Sequence, residues 1–289
     1  MPQQQQQQQR GVEEGEENGD EFFFDPDLFV NRATKLTSYV IDGLAQPLLA
    51  SVASTTDHDL TGQIVWPVSI YLAWFVARNR WRFDGQQMLE LGAGAGLPGM
   101  VASRFAGGAL LTDGNELVLE LLQQNVDRQR ADGFVRPGAR LEARRLLWGD
   151  EASLDAALAP AGDGGGGPGW RPQVLLGADV VAWPDMVKPL LQTTKALFLR
   201  AAEPAAAVLY LGFVNRATAT ERLLYATAAE MGMVIKRIPP EVFLPSPLPP
   251  DLQVTQQLEL LAVALDDGSP RALEPVVFEA VSESRATPC

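Results

Sequence analysis

Met88-Leu-Glu-Leu-Gly-Ala-Gly-Ala-Gly-Leu-Pro-Gly99 decides how the rest of this chain is read. A short apolar run, Gln87–Leu91, passes through three alternating glycines into a helix pattern over Leu97–Phe105. Working outward, the same alternation recurs. Strand patterns at Ala109–Thr112, Arg140–Leu146, Val174–Val181 and Ala206–Val214 are each followed by a helix pattern, at Asn115–Gln129, Glu151–Leu158, Pro184–Arg200 and Ala217–Met231. Two last strands, Met233–Ile238 and Gln257–Leu265, have only a Pro-rich loop between them, with six prolines from Pro239 to Pro250. Strands alternating with helices imply a mostly parallel sheet covered on both faces. The expected fold is therefore α/β, a doubly wound seven-stranded sheet of Rossmann-like type that ends in an antiparallel hairpin.

Glycine serves where a bend takes left-handed dihedrals and where a ligand must approach bare backbone. The helix behind this bend adds unpaired N–H donors. Two patterns fit the same letters. Gly94-Ala-Gly96-Leu-Pro-Gly99 satisfies the dinucleotide pattern G-x-G-x-x-G, and Gly92-Ala93-Gly94-Ala-Gly96 satisfies the G-x-G-x-G of adenosylmethionine enzymes. Glu90 favours the second, because a carboxylate beside a pyrophosphate meets like charge, whereas a cofactor bearing an ammonium and a sulfonium gains from it.

Asp113 closes the next strand, 21 residues after Gly92. An acid at that place can accept hydrogen bonds from both ribose hydroxyls. Before Gly114-Asn115 it can equally be a turn or helix N-cap residue. Trp148-Gly149-Asp150 and Gly177-Ala178-Asp179 end the third and fourth strand patterns. Ligands of open parallel sheets bind outside the carboxyl ends of the strands. An indole there can lie against an adenine face beside a small Ala178, or it can simply pack into the core.

Val65-Trp-Pro, Leu89-Glu-Leu-Gly-Ala-Gly-Ala-Gly-Leu-Pro-Gly, Leu111-Thr-Asp, Leu147-Trp-Gly and Gly177-Ala-Asp-Val-Val, in that order, resemble the seven-β-strand methyltransferase family 16. That group includes the lysine methyltransferases of calmodulin, chaperones and elongation factors. The resemblance spans roughly Gly62 to Leu265. It implies S-adenosyl-L-methionine as cofactor, methyl transfer to a lysine of a protein partner, and no metal. It further implies that Trp66 meets the cofactor from the preceding segment and that Gly92, Ala93 and Gly94 line it through backbone; the G-x-G-x-G pattern places Gly96, and the cofactor's positive charge places Glu90, in the same cofactor site. Asp113 would hold the ribose, Trp148 the adenine, and Ala178 would sit beside that ring. Asp179 opens the family's Asp-x-x-Tyr/Phe motif near the acceptor amine, but the aromatic position holds Ala182, with Trp183 displaced by one. Read from the residues alone, Trp66 is also a candidate anchor ahead of an amphipathic helix carrying Pro67, Ile70, Leu72, Phe75 and Val76.

Composition narrows the classes. The 289 residues carry a formal charge of −13. Eight acids and one base fall in the first thirty residues, which leaves 28 acids against 22 bases and a charge of −6 on the remainder. Without a Lys/Arg excess, a nucleic-acid partner is not expected. One cysteine, Cys289, excludes an internal disulfide and a thiolate metal cluster, and one histidine, His58, excludes a multi-His metal site. His58 reads as a solvated loop residue. Apolar stretches fall short of the roughly 20 residues of a bilayer span, so no membrane partner is expected. Met-Pro followed by seven glutamines holds no hydrophobic signal core, so the cytoplasm, with the nucleus as a second compartment, is the expected location; a monomer is the expected state. Residues 1–21 read as a disordered Gln/Glu-rich tail, and 22–289 as one domain with a flexible Gly-rich insertion at 162–169. Three other readings share these residues: a small-molecule N- or O-methyltransferase, a nicotinamide-dependent oxidoreductase using Gly94–Gly99, and a non-catalytic cofactor-binding scaffold.

Overall fold

The computed structural model describes residues 33–54, 62–160, 168–254, 257–266 and 268. The expected tail, His58, Cys289 and most of the Gly-rich insertion lie outside them. The chain opens with an antiparallel hairpin, β1 (Thr34–Tyr39) and β2 (Leu48–Ala53), in which Thr34 pairs with Ala53 and Tyr39 with Leu48. There follow α1 (Pro67–Arg78), β3 (Gln87–Leu91), α2 (Leu97–Ala102), β4 (Gly108–Asp113), α3 (Glu116–Ala131), β5 (Arg140–Arg145), α4 (Glu151–Leu158) and β6 (Val174–Ala178). The rest comprises α5 (Pro184–Arg200), β7 (Val208–Val214), α6 (Thr218–Glu230), β8 (Met233–Ile238) and β9 (Leu258–Leu265).

Seven strands form one sheet in the order β5-β4-β3-β6-β7-β9-β8. The first five pair in parallel, and β9 runs antiparallel to both β7 and β8. The expected doubly wound sheet and closing hairpin are thus present, with β9 inserted between β7 and β8. Strand order reverses between β3 and β6, which opens a crevice at their carboxyl ends.

Two cores cover the two faces because the strands alternate with period two. Met88, Leu111, Leu176, Tyr210, Leu260 and Ala262 join α1, α2 and α3 on one face. Leu89, Leu91, Leu110, Leu175, Leu211 and Val263 join α4, α5 and α6 on the other.

Two expectations need correction. The helix after Trp66 is not amphipathic. Nine of its twelve residues are buried, because the sheet lies on one side and the Pro-rich loop on the other. A Cβ on Gly212 of β7 would come 3.0 Å from Val68, and Phe243 packs edge-on against Tyr71 and Phe75 at 5.0 and 5.5 Å. The hairpin β1–β2 was not expected at all. Its anchors are polar and distant in sequence: Ser51 N donates to Asn125 Oδ1 (2.7 Å), Asn125 Nδ2 to Ser51 O (3.0 Å) and Gln129 Nε2 to Leu49 O (2.7 Å). Asn125 and Gln129 therefore occupy the buried stripe of α3 with Val118, Leu121, Leu122 and Val126.

Among the described residues no helix is long and apolar enough to cross a membrane.

Candidate active site

At the end of β3 the chain makes three left-handed residues in five, with φ of 59° at Gly92, 55° at Gly94 and 86° at Gly96. A side chain at any of them is strained, and space forbids one as well. A Cβ on Gly94 would lie 2.7 Å from Gly62 O, and one on Gly92 would lie 2.8 Å from Val180 and 3.0 Å from the Trp148 ring. The segment that starts at Gly62 thus crosses the bend and leads to Trp66, the half-buried N-cap residue of α1. Ala93 N continues the β3–β4 ladder by donating to Thr112 O at 2.8 Å. Asn125 Nδ2 clips the bend from outside through Ala95 O at 2.9 Å.

Gly96 was expected to line a cofactor, and the structure turns it the other way. Its Cβ would meet Leu122 at 2.6 Å and Leu111 at 2.9 Å, so this glycine lets α2 seat against the core. Glu90 is also displaced from its expected place beside a ligand. It is 1% exposed, and its Oε2 accepts Gly99 N at 2.9 Å, inside the first turn of α2. Burial pushes its carboxyl up to about 8, against the pull of the Gly99 N–H and with a smaller push from Asp113. The acid therefore supports the bend from beneath, its oxygen accepting one of the first-turn N–H groups that α2 cannot satisfy internally.

Asp113, at the end of β4, reaches the same bend. Its Oδ2 accepts Gly94 N (3.1 Å) and its Oδ1 accepts Asn115 N (3.0 Å). It is not the helix cap. Asn115 caps α3 by accepting from Leu117 N and Val118 N. Burial raises the Asp113 carboxyl above its ordinary value, opposed by the N–H groups of Asn115, Gly94 and Gly114. Trp148, just past β5, is half-buried with its six-membered ring over Gly92, and Ala178 ends β6 on the far side of the bend.

The acceptor side looks different. Asp179 is the only non-glycine among the described residues with positive φ, at 60°. Its N–H donates to Gly212 O (3.0 Å), which holds the strained residue against β7. Its carboxylate takes a two-pronged grip from Arg216, Nη1 to Oδ1 at 2.6 Å and Nη2 to Oδ2 at 2.7 Å. That pairing raises the Arg216 guanidinium further above its ordinary value. Beside it, Asn215 donates to Glu221 Oε2 (2.7 Å), and Arg237 lies 2.9 Å from Glu221 and 2.8 Å from the buried Glu259. Ala182 is half-buried, and Trp183, the N-cap residue of α5, is 66% exposed at the rim.

Of the expected residues, Gly92, Ala93, Gly94, Asp113, Trp148, Ala178 and Asp179 converge at the crevice, and Trp66 ends the segment crossing it. Arg216 and Asn125 were missed. Nothing local marks either: Arg216 follows a strand 37 residues after its partner, and Asn125 sits mid-helix in a stripe otherwise read as apolar. No group of three or more His, Cys, Asp or Glu able to hold a metal occurs among the described residues.

A family described as lysine methyltransferase matches residues 51–224. Protein-lysine N-methyltransferase EEF2KMT of Bos taurus is 26% identical over 214 residues, covering 70% of this chain and 61% of its own length. Protein N-lysine methyltransferase METTL21A of Danio rerio is 32% identical over 134 residues, 46% of this chain and 54% of the relative. Histone-arginine methyltransferase METTL23 of Mus musculus is 28% identical over 138 residues, 47% of each. The chain thus spans about three-fifths or less of these relatives.

Proposed function

This chain belongs to the lysine methyltransferase family, and on that premise we propose that it methylates a lysine side chain of a protein acceptor with S-adenosylmethionine as methyl source. The observation that carries the reading is one juxtaposition. A side-chain-free bend, a half-buried carboxylate 3.1 Å from its Gly94 N–H, and an indole over Gly92 meet where strand order reverses.

These groups fit the cofactor chemically. A carboxylate offers about four lone-pair positions. Asp113 faces the N–H groups of Gly94, Asn115 and Gly114 and keeps lone-pair capacity for vicinal ribose hydroxyls. Trp148 offers a flat apolar face to adenine, and Ala178 leaves room beside it. Gly92, Ala93 and Gly94 present backbone to the amino-acid portion, and Trp66 closes the crevice from the preceding segment. Glu90 keeps the bend and α2 together. Held there by Asp113, Trp148 and the Gly92–Gly94 backbone, S-adenosylmethionine would supply an electrophilic sulfonium methyl for a neutral amine, with the carbon–sulfur electron pair left on sulfur and the amine proton lost to solvent.

The chain's own task is then alignment and proton control. Holding two reactants in line contributes on the order of 7–11 kcal/mol in favourable cases. A lysine amine, with a reference pKa near 10.4, is neutral in only about 0.04% of molecules at pH 7. Asp179 accepts an N–H from that amine and orients its lone pair.

The test is calorimetry with adenosylhomocysteine, followed by tritiated S-adenosylmethionine with total lysate protein. Saturable one-to-one binding and label on lysine after digestion are expected. Binding of NADH and not of adenosylhomocysteine selects the oxidoreductase reading. Label on a small metabolite selects a small-molecule methyltransferase, and binding without any transfer a non-catalytic scaffold.

A further inference from the structure

The Arg216–Asp179 pair lies where an acceptor amine must arrive, yet Arg216 has no part in the reading above. Asp179 follows the last residue of β6, and the next residue, Val180, packs on Gly92. A guanidinium fork locked on both carboxylate oxygens is not displaced by a lysine ammonium, which is a compact point charge with no matching fork. An acceptor therefore meets the pair intact.

We propose that Arg216 is a positioning residue that selects the neutral form of the acceptor lysine. Its fork fixes Asp179 with remaining lone pairs free for an N–H, and its charge repels the ammonium, the form with no lone pair to attack. The inference rests on the lysine reading above and deepens it.

The surrounding charges leave the pair to act together. Glu221 on α6, Arg237 on β8 and Glu259 on β9 satisfy one another, with Arg237 2.9 Å from Glu221 and 2.8 Å from Glu259. Burial raises the Tyr225 phenol of α6 above its ordinary value, with smaller influences from Arg237, Glu221 and Glu259 of that second cluster. From α5 the first turn contributes Asp185 and the next Lys188, both exposed. Asp179 is the group whose charge acts on Arg216. A bare carboxylate in that position draws in and retains an ammonium; a carboxylate already neutralised by Arg216 does not.

The test compares the wild-type chain with R216Q, R216K and D179N. Each is incubated with tritiated S-adenosylmethionine and total lysate protein from pH 6 to 10, with adenosylhomocysteine affinity measured in parallel. R216Q should hold that affinity within about twofold while its transfer falls about tenfold at pH 7 and recovers by pH 9, an upward move of the acid limb of about one unit. R216K, with the charge kept, should stay near the wild-type profile. D179N should move the limb the opposite way, to lower pH, at a reduced maximum. An R216Q loss that is uniform with pH, or a limb that moves in neither R216Q nor D179N, overturns the proposal. Wild-type chain that binds adenosylhomocysteine but labels no protein at any pH instead defeats the lysine reading, and this inference with it.

Discussion

The two halves of the crevice are built differently. Around β3 and β4 the functional surface is backbone, and its supports are buried: Glu90 is 1% exposed and Gly99 is clamped to it. Around β6, β7 and β9 the surface is side chain and charge, with Arg216 and Arg237 reaching toward solvent from their pairs with Asp179 and with Glu221 and buried Glu259, and Trp183 standing 66% exposed. In the first half, ligand geometry is a consequence of folding, so substitutions there act through stability. In the second, it is set by electrostatics on a finished fold, so substitutions act through protonation and turnover.

Gly96→Val against Trp183→Ala is the widest test of that contrast. A β-branched residue at φ 86° is strained, and its Cβ would collide with Leu122 and Leu111. Left-handed strain and overpacking each cost about 1–3 kcal/mol, so denaturant unfolding should show a loss of about 4 kcal/mol. Trp183→Ala should stay within about 0.5 kcal/mol of wild type, as exposed positions do. Comparable losses for both would erase the distinction.

Next in size is the pH response of Glu90. Its ordinary value is 4.5, and the folded chain holds the carboxyl protonated up to about 8. The unfolded chain releases this proton from about 4.5 upward while the folded chain keeps it. Its contribution is therefore fully present below 4.5, declines as pH rises, and levels off above 8. The slope is about 1.4 kcal/mol per pH unit, reaching about 3 kcal/mol two units into the window. Glu90→Gln keeps an oxygen for Gly99 N–H without an ionisable group, so its melting temperature should exceed wild type at pH 7.5 and match it near pH 4.5. A pH-independent difference would show that Glu90 is ionised in the fold.

Asp113→Ala probes the boundary between the halves, because Asp113 is both a support and a ligand group. Losing a charged acceptor for the hydroxyls should weaken adenosylhomocysteine binding by about 1–3 kcal/mol in calorimetry. Wild-type affinity in this variant removes Asp113 from the cofactor site.

The same contrast explains what the sequence disclosed. Gly92 to Gly99, Asp113 and Trp148 sit within a few residues of strand ends, so a local strand–turn–helix pattern places them and the sheet with them. Glu90 was found by the same rule, but its direction was not, because one residue of alternation decides whether a strand side chain faces helix or crevice. Arg216, Asn125 and the hairpin β1–β2 were not legible. Each depends on a polar pair closed across 37 to 80 residues of chain, and no periodicity announces such a partner.

The smallest effect separates the two reasons Asp179 is unusual. Both Asp179→Ala and Asp179→Gly delete the carboxylate, release Arg216 and should abolish most transfer while sparing adenosylhomocysteine affinity. They differ only in backbone. At φ 60° alanine carries the left-handed penalty of roughly 1–2 kcal/mol, from which glycine is exempt, though glycine gives back part of this through the greater freedom of its unfolded chain. The glycine variant should therefore unfold about 1 kcal/mol later than the alanine variant in denaturant while remaining equally inactive. If the two unfold together, the backbone at 179 relaxes once Arg216 lets go, and the strain belongs to the ion pair. If glycine is the more stable, β6 imposes the bend through Asp179 N–H and Gly212 O, and the acceptor half too begins with a feature of the fold.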